Sequence, residues 1–235
     1  MNRRTPKLLS LHKNRRLWLG IACTVLLGAR AEANLLTNGS FEDGAFVPDV
    51  NHTMILNLGS TAMTGWTVSA DQLAWIDAGN PFGLSAQDGN GFLDLTAYPA
   101  GPPFGGVTQT IATVPGQQYV LSFYLGTYTQ RWGGPPVSIM AAAGNASQNF
   151  TVSTTSTSST WTPFSMNFTA TAASTPVTLT GSAGFEYIGL DNVDVEGVGG
   201  SAVPEPGSYL LVFGGLGMLA ASRYRRWMGA RSPRD

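Results

Sequence analysis

Residues 106–128 read "GVTQTIATVPGQQYVLSFYLGTY", and this stretch decides the fold. On both sides of the Val-Pro-Gly-Gln turn at 114–117, apolar and polar side chains alternate with a period of two. This alternation is typical of a β-strand with one buried face, and a Pro-Gly pair is typical of a turn. The stretch therefore predicts two strands separated by a short turn.

Runs of the same kind continue outward through residues 34–197. They are rich in Val, Thr, Phe, Tyr and Trp, which favour strands, and Gly- and Pro-rich turns separate them. Counting the two strands above, eleven candidate strands extend from "NLLTNGSFE" at 34–42 to "YIGLDNVDVEG" at 187–197. No amphipathic helix longer than two turns interrupts them. The predicted fold class is all-β, an antiparallel sandwich.

The charged residues are segregated along the chain. Seven of the 13 Lys and Arg residues lie within 3–30 and five within 223–234, so Arg131 is the one base between them. Residues 34–200 hold eleven acidic residues against this arginine, a net charge of −10. Because phosphate binding needs clustered Lys and Arg, no nucleic-acid or anionic-lipid partner is expected for this segment.

Residues 1–33 have the three-part layout of a secretory signal: a basic start, about thirteen apolar residues and a small-residue end. Ala31 and Ala33 are the small residues expected before cleavage by a signal peptidase. An uncleaved anchor helix is an alternative, although the apolar core is short for a membrane span. Lipidation of Cys23 is another, but Gly20 precedes it where a leucine is expected. With one cysteine, no intramolecular disulfide can form.

The second long apolar run, at 208–222, predicts a C-terminal transmembrane helix. As a helix it would be about 22 Å long, at ~1.5 Å per residue, so the bilayer would have to thin around it. Arg223, Arg225 and Arg226 predict that the basic tail, 223–235, stays in the cytoplasm. A buried helix of the globular domain is the alternative. Residues 198–207 have the composition of a linker.

The linker, the apolar run and the arginine cluster together carry a resemblance. The motif Pro204-Glu205-Pro206, followed by the apolar helix and the arginines, resembles the PEP-CTERM sorting tail of exopolysaccharide-producing Gram-negative bacteria. The resemblance implies recognition by an exosortase-type membrane peptidase. It predicts a protein that is held transiently in the inner membrane and then released to the cell surface or beyond.

The segment at 34–197 is similar to domain-of-unknown-function family 642 and, more loosely, to galactose-binding-like carbohydrate-binding modules. The similarity lies in "NGSFE" (38–42), "VPGQQYVLSF" (114–123) and "LDNVDV" (190–195). It implies a jelly roll with its first and last strands side by side. In such folds a structural calcium often lies where those strands meet, which implicates Glu42 and Asp191 as ligands. The alternative is that these are surface or capping acids, with Asn38 and Gly39 forming a turn.

Sugar binding needs flat aromatic side chains that stack on pyranose rings. Tyr98, Phe104 and Trp132 flank Gly- and Pro-rich loops, and Arg131 next to Trp132 could hydrogen-bond hydroxyl groups; these four are the predicted ligand-binding residues. A further set of aromatic candidates comprises Trp66, Trp75 and Tyr128. For Trp66 and Trp75, which lie within strand patterns, core packing is the favoured role.

The sequence offers few parts for catalysis. His52 is the one histidine after residue 33, so histidine-dependent nucleophiles and zinc are not expected. Asp71, Asp77, Asp88 and Asp94 could supply a carboxylate pair for glycoside hydrolysis, but none is expected in an apolar pocket that would raise its pKa. The prediction is noncatalytic binding of carbohydrate or exopolysaccharide. The alternatives are a structural matrix protein without a specific ligand and a glycoside-active enzyme.

Overall fold

The computed structural model describes residues 34–97, 101–128, 135–153, 159–185 and 187–198. These residues form eleven strands and no helix, which confirms the all-β prediction. No described helix is therefore long and apolar enough to cross a bilayer. The strands are β1 (Thr53–Leu56), β2 (Thr67–Ala70), β3 (Leu73–Asp77), β4 (Gly91–Asp94), β5 (Gly106–Ala112), β6 (Gln118–Thr127), β7 (Val137–Ala143), β8 (Ala146–Val152), β9 (Thr160–Thr169), β10 (Ser174–Ala183) and β11 (Gly189–Gly197).

The strands make two antiparallel sheets that pack as a jelly-roll sandwich. The six-stranded sheet has the order β1-β3-β4-β11-β6-β9, and the five-stranded sheet has the order β2-β5-β10-β7-β8. From β4 onward the chain crosses repeatedly between the sheets, and only β7 and β8 are both consecutive and paired within one sheet. Sequential strands are thus rarely neighbours, as a jelly roll requires.

The strands form because their alternation buries one face. In β6, Tyr119, Leu121, Phe123 and Leu125 point into the core and are nearly inaccessible. Trp66 and Trp75 also lie in the core, at 1% and 2% exposure, which confirms the packing role expected of them. The even-numbered residues of β6 point to the opposite side, here called the outer face of the six-stranded sheet.

The start of the domain, residues 34–42, is not the strand that the sequence predicts. It lies beside β11, where the Leu35 amide donates to the Val195 carbonyl and the Val193 amide donates to the Gly39 carbonyl, both at 2.9 Å. The first and last segments of the domain are therefore adjacent, as predicted. However, Asn38 and Phe41 have φ values of 57° and 56°, which are incompatible with an extended strand.

The first strand is instead β1, which the sequence analysis missed. It has four residues, too few to show a clear alternation, and it follows His52, whose φ is 57°. The predicted signal, 1–33, the transmembrane helix, 208–222, the basic tail and nearly all of the linker lie outside the described residues.

The β3–β4 loop, residues 78–90, folds across the outer face of the six-stranded sheet. Leu84 and Ala86 of this loop pack on a small hydrophobic cluster that contains Ile76, Phe92 and Tyr187. This second cluster is separate from the main core. One side of the outer face is thus covered by the loop. Within the described ranges no loop covers the side formed by β6 and β9, here called the uncovered side.

Candidate functional site

Three aromatic side chains line the uncovered side of the outer face. Tyr124 lies on β6, and Trp161 of β9 is opposite Gly126, two residues further along β6. Tyr128 follows at the end of β6 and packs with Trp161 against the second cluster. All three are half-buried. Tyr124, Trp161 and Tyr128 are called the aromatic strip below.

The indole of Trp161 is held in place from three directions. Its Nε1 donates a hydrogen bond to the Ser85 carbonyl at 2.9 Å. Its ring meets Phe92 and Tyr187 edge to face, with centroids 6.2 and 6.4 Å apart. A Cβ on Gly126 would come within 2.7 Å of the indole, so glycine leaves the space that the ring occupies. Trp161 is therefore pre-organised, and little side-chain entropy remains to be lost on binding.

Acidic side chains lie on β11, the strand that pairs with β6 on the side away from β9. Asp194 lies opposite Ser122 of β6, just after a bulge in the β11–β6 pairing. Its Oδ1 is buried and has no hydrogen-bond partner among the described residues. Burial, and then the charge of Glu196, raise the pKa of Asp194. This oxygen is a buried acceptor left without a donor in the described part of the chain, a rare situation in folded proteins.

Asp191, one of the two predicted metal ligands, holds the β3–β4 loop. Its side chain is completely buried. Oδ2 accepts hydrogen bonds from the Gln87 amide at 2.7 Å and the Asp88 amide at 3.0 Å, and Oδ1 accepts one from the Asn192 amide at 2.7 Å. Burial nevertheless dominates and raises the pKa of Asp191 to about 7. The carboxylate is thus hydrogen-bonded, yet it has no cationic partner among the described residues.

Glu42, the other predicted ligand, holds the end of the same loop. Its Oε1 accepts hydrogen bonds from the Asn90 amide at 2.7 Å and the Gly91 amide at 2.6 Å. Gly89 has a φ of 64°, and a Cβ there would lie 2.4 Å from Oε1. Glu42 and Asp191 therefore both accept hydrogen bonds from backbone amides of the β3–β4 loop or its junction with β4.

Few side chains near Glu42 and Asp191 could bind calcium. Within the described ranges, no group of three or more His, Cys, Asp and Glu residues is arranged to hold a metal ion. Calcium takes six to eight oxygens, so backbone carbonyls and water would have to complete a site built on Glu42 and Asp191. The buried charge of Asp191 is the feature that fits a cation, because an uncompensated buried carboxylate is costly.

Asp94 is the second buried acid on the outer face. It is 6% exposed, and its Oδ1 accepts hydrogen bonds from the Thr96 amide and hydroxyl and from the Ile188 amide. Burial raises the pKa of Asp94 from 3.8 to about 7. The expectation that no acid lies in a pKa-raising pocket is therefore wrong. The signal missed was Tyr187, which the fold places over Gly189, opposite Asp94.

Tyr187 shares this buried position. Its hydroxyl is inaccessible and has no hydrogen-bond partner in the described part of the chain. Burial, and then the charges of Asp94 and Asp191, raise its pKa well above the ordinary value. Of these three groups, Asp191 and Tyr187 contact the β3–β4 loop.

The other catalytic candidates do not gather at one place. Asp77 pairs with His52, whose Nδ1 lies 3.0 Å from Oδ1, and it also accepts the Gly79 amide in its own turn. Asp88 contributes its backbone amide to Asp191. Asp71, which has a φ of 29°, lies between β2 and β3.

Of the four predicted ligand-binding residues, the structure describes Phe104. Its side chain is half-buried and packs against the main core, close to Gly181, where an added Cβ would lie 2.8 Å from Cβ of Phe104. Tyr98, Arg131 and Trp132 lie outside the described residues. Tyr128, at the end of the aromatic strip, is three residues before Arg131.

The comparison with known proteins then identifies the domain. Residues 34–186 match the family described as "Protein of unknown function (DUF642)". This chain belongs to the DUF642 family. A second match, to the PEP-CTERM protein-sorting motif, covers residues 202–226, so the DUF642 domain precedes a sorting signal and the protein is an exported one.

One curated protein and two solved structures are similar to parts of this chain. Halomucin of Haloquadratum walsbyi is 29% identical over 169 residues, which are 70% of this chain but 2% of halomucin. The structure of TmCBM61 with β-1,4-galactotriose has 16% identity and a TM-score of 0.42, over 71% of this chain and 99% of the other. The CBM22-1 xylan-binding domain of Paenibacillus barcinonensis Xyn10C has 16% identity and a TM-score of 0.43, over 72% and 97%.

Sequence reasoning missed two members of the aromatic strip in the DUF642 domain, Tyr124 and Trp161. Both lie inside strand patterns, where an aromatic residue is ordinarily assigned to the core. The available signal was parity: Tyr124 has the opposite parity to Phe123 and Leu125, so it must point away from them.

Proposed function

We propose that the DUF642 domain is a noncatalytic carbohydrate-binding module whose site is the uncovered side of the outer face. The observation that carries the proposal is that the rings of the aromatic strip, Tyr124, Trp161 and Tyr128, share one face and stay partly exposed, although Trp161 and Tyr128 also pack against the second cluster. Aromatic faces are the groups that stack on the apolar faces of sugar rings.

The spacing of the strip suits an extended chain of sugars. Alternate residues of a strand are about 6.6–6.8 Å apart, and Tyr124, Gly126 and Tyr128 are such alternate positions, with Trp161 beside the middle one. An oligosaccharide lying along β6 would therefore meet the three rings in succession.

Charge restricts the class of glycan. Residues 34–200 carry eleven acids and one base, and Asp194 and Glu196 lie on the outer face itself. Polyanionic polysaccharides would be repelled. We therefore propose a neutral polysaccharide as the ligand.

A binding role is favoured over hydrolysis because the two acids whose pKa is raised to about 7 are already engaged. Asp94 and Asp191 are buried, and their oxygens accept hydrogen bonds from several backbone amides. A general acid must reach the glycosidic oxygen of its substrate. In the described geometry neither carboxyl group is open to one.

The sorting motif is the basis for the proposed location of the protein. A signal peptidase would remove residues 1–33, the segment 208–222 would hold the domain in the inner membrane, and an exosortase-type peptidase would act near Pro204-Glu205-Pro206. The domain would then face exopolysaccharide at the cell surface or in the matrix around it.

A single structural calcium is part of the proposal. Glu42 and Asp191 would hold it with backbone carbonyls and water, and the ion would compensate the buried charge of Asp191. It would fix the β3–β4 loop, against which Trp161 rests.

Substitution of Tyr124 tests the binding site directly. Tyr124→Ala should weaken binding of the full chain to galactan, xylan or dextran by about two- to tenfold, because one stacking interaction is worth roughly 0.5–1.5 kcal/mol. Tyr124→Phe, which keeps the ring, should retain most of the affinity. Affinity electrophoresis and calorimetry measure both.

The matched control is Met140→Ala, which removes a side chain that is 46% exposed on the five-stranded sheet. It should bind as the parent protein does. Equal affinities of Tyr124→Ala and the parent would reject the site, and lack of binding to every polysaccharide tried would reject the function.

A further inference from the structure

The five-stranded sheet is free of charge. None of its strands, β2, β5, β10, β7 and β8, contains an Asp, Glu, Lys, Arg or His residue. The six-stranded sheet, by contrast, carries five acids: Asp77, Asp94, Asp191, Asp194 and Glu196. The strong negative charge of the domain is therefore concentrated away from the five-stranded sheet.

Strand β8 forms one edge of this neutral sheet. It pairs with β7 over all seven residues in one continuous register, from Ala146 opposite Ala143 to Val152 opposite Val137. The backbone hydrogen bonds described for β8 run to β7, and its other side has no partner strand among the described residues. Ser147, Gln148 and Asn149 are exposed.

The other three edges of the sandwich are protected in ways that β8 is not. Strands β1 and β2 have four residues each, and the β2 pairing shifts register after Val68. Strand β9 contains Pro163, which has no amide hydrogen to donate. Short length, bulges, proline and charge are the usual means of preventing edge pairing, and β8 has none of them.

We propose that β8 pairs antiparallel with β8 of a second copy of this chain. The pairing would join two five-stranded sheets into one of ten strands around a two-fold axis near Asn149, the central residue of β8. Two copies with a charge of −10 each repel one another, and a sheet without charged residues is where they can meet with least cost. A contact between two seven-residue edges is small, so the dimer forms at high local concentration.

Disulfide trapping tests the pairing in the full chain, with Cys23→Ser removing its one native thiol. Asn149→Cys should give a covalent dimer under mild oxidation, because the two-fold axis brings both copies of residue 149 together. The control is Asn167→Cys, at an equally exposed position on β9. A dimer formed by Asn149→Cys and not by Asn167→Cys supports the proposal. If Asn167→Cys forms a dimer, or if neither variant does, the proposal is overturned.

A charge placed on the edge provides an independent readout. The parent chain in mild detergent should show a concentration-dependent dimer by sedimentation equilibrium, and Asn149→Lys should weaken it at least tenfold, while Asn167→Lys should not. A dimer that is unchanged in Asn149→Lys overturns the proposal. This outcome does not depend on whether the domain binds sugar.

Discussion

At the scale of single residues, Asp94 shows that burial can raise the pKa of a carboxyl group well above its ordinary value. Three donors reach its Oδ1, but burial prevails and the pKa of Asp94 rises from 3.8 to about 7. At about 1.4 kcal/mol per pKa unit, the charged form costs roughly 4 kcal/mol in the folded protein. Its protonation is thus linked to folding.

The sign of this linkage predicts a pH dependence of stability. The folded state binds the proton more tightly than the unfolded state, so the stabilisation is fully present below about pH 4 and is lost as pH rises through about 7. The melting temperature should therefore fall between pH 5 and pH 8. Asp94→Asn, which is always neutral, should reduce that slope and melt higher at pH 8.

Calorimetry across this pH range measures the effect. The measurement should be made with a chelator present, because Asp191 has its pKa shifted in the same direction and contributes a similar slope. Asp71→Asn is the control, since it removes an acid that lies outside the buried cluster. A slope identical in Asp94→Asn and the parent would contradict this account of Asp94.

At the scale of elements, the β3–β4 loop is placed by acids from two distant parts of the sequence. Glu42 accepts the Asn90 and Gly91 amides, and Asp191 accepts the Gln87 and Asp88 amides. The loop therefore depends on these contacts more than on its own sequence.

Two substitutions of Glu42 separate its hydrogen-bonding role from its charge. Glu42→Ala should speed amide exchange of Asn90 and Gly91 by roughly fivefold, since each lost bond is worth about 1 kcal/mol. Glu42→Gln keeps an oxygen in the same place and should leave exchange closer to that of the parent. Equal protection in Glu42→Ala and the parent would show that the loop does not need this carboxylate.

The same pair of variants tests the calcium proposal. Adding calcium to the metal-free full chain should raise its melting temperature, and a chelator should reverse the rise. Glu42→Gln should lose most of this response, because an amide oxygen is a weaker calcium ligand than a carboxylate. If neither calcium nor a chelator changes the melting temperature of the parent chain, no such ion is bound.

Elements with strong alternation could be predicted from the sequence, and those shaped by distant contacts could not. The two strands in 106–128 are present as β5 and β6 because their pattern is local. Residues 34–42 share the composition of a strand but are held as irregular chain by Gln109, whose side chain bonds both the amide and the carbonyl of Thr37. Such a partner 72 residues away has no local signal.

At the scale of the whole molecule, charge and aromatic residues are distributed on different sheets and faces. The sequence revealed that the domain is acidic, and it predicted that Glu42 and Asp191 are near neighbours. It did not reveal that the five-stranded sheet is neutral, or that Tyr124 and Trp161 share a face, because both facts depend on strand order and register.

The central claim is that carbohydrate binds to the outer face along β6 and β9. Hydrogen exchange of the full chain, with and without the polysaccharide that binds tightest among galactan, xylan and dextran, tests it most directly. The account predicts slower exchange within residues 120–128 and 160–167 and no change within 138–152. Protection confined to 138–152, or no binding by any of the three polysaccharides, would contradict it.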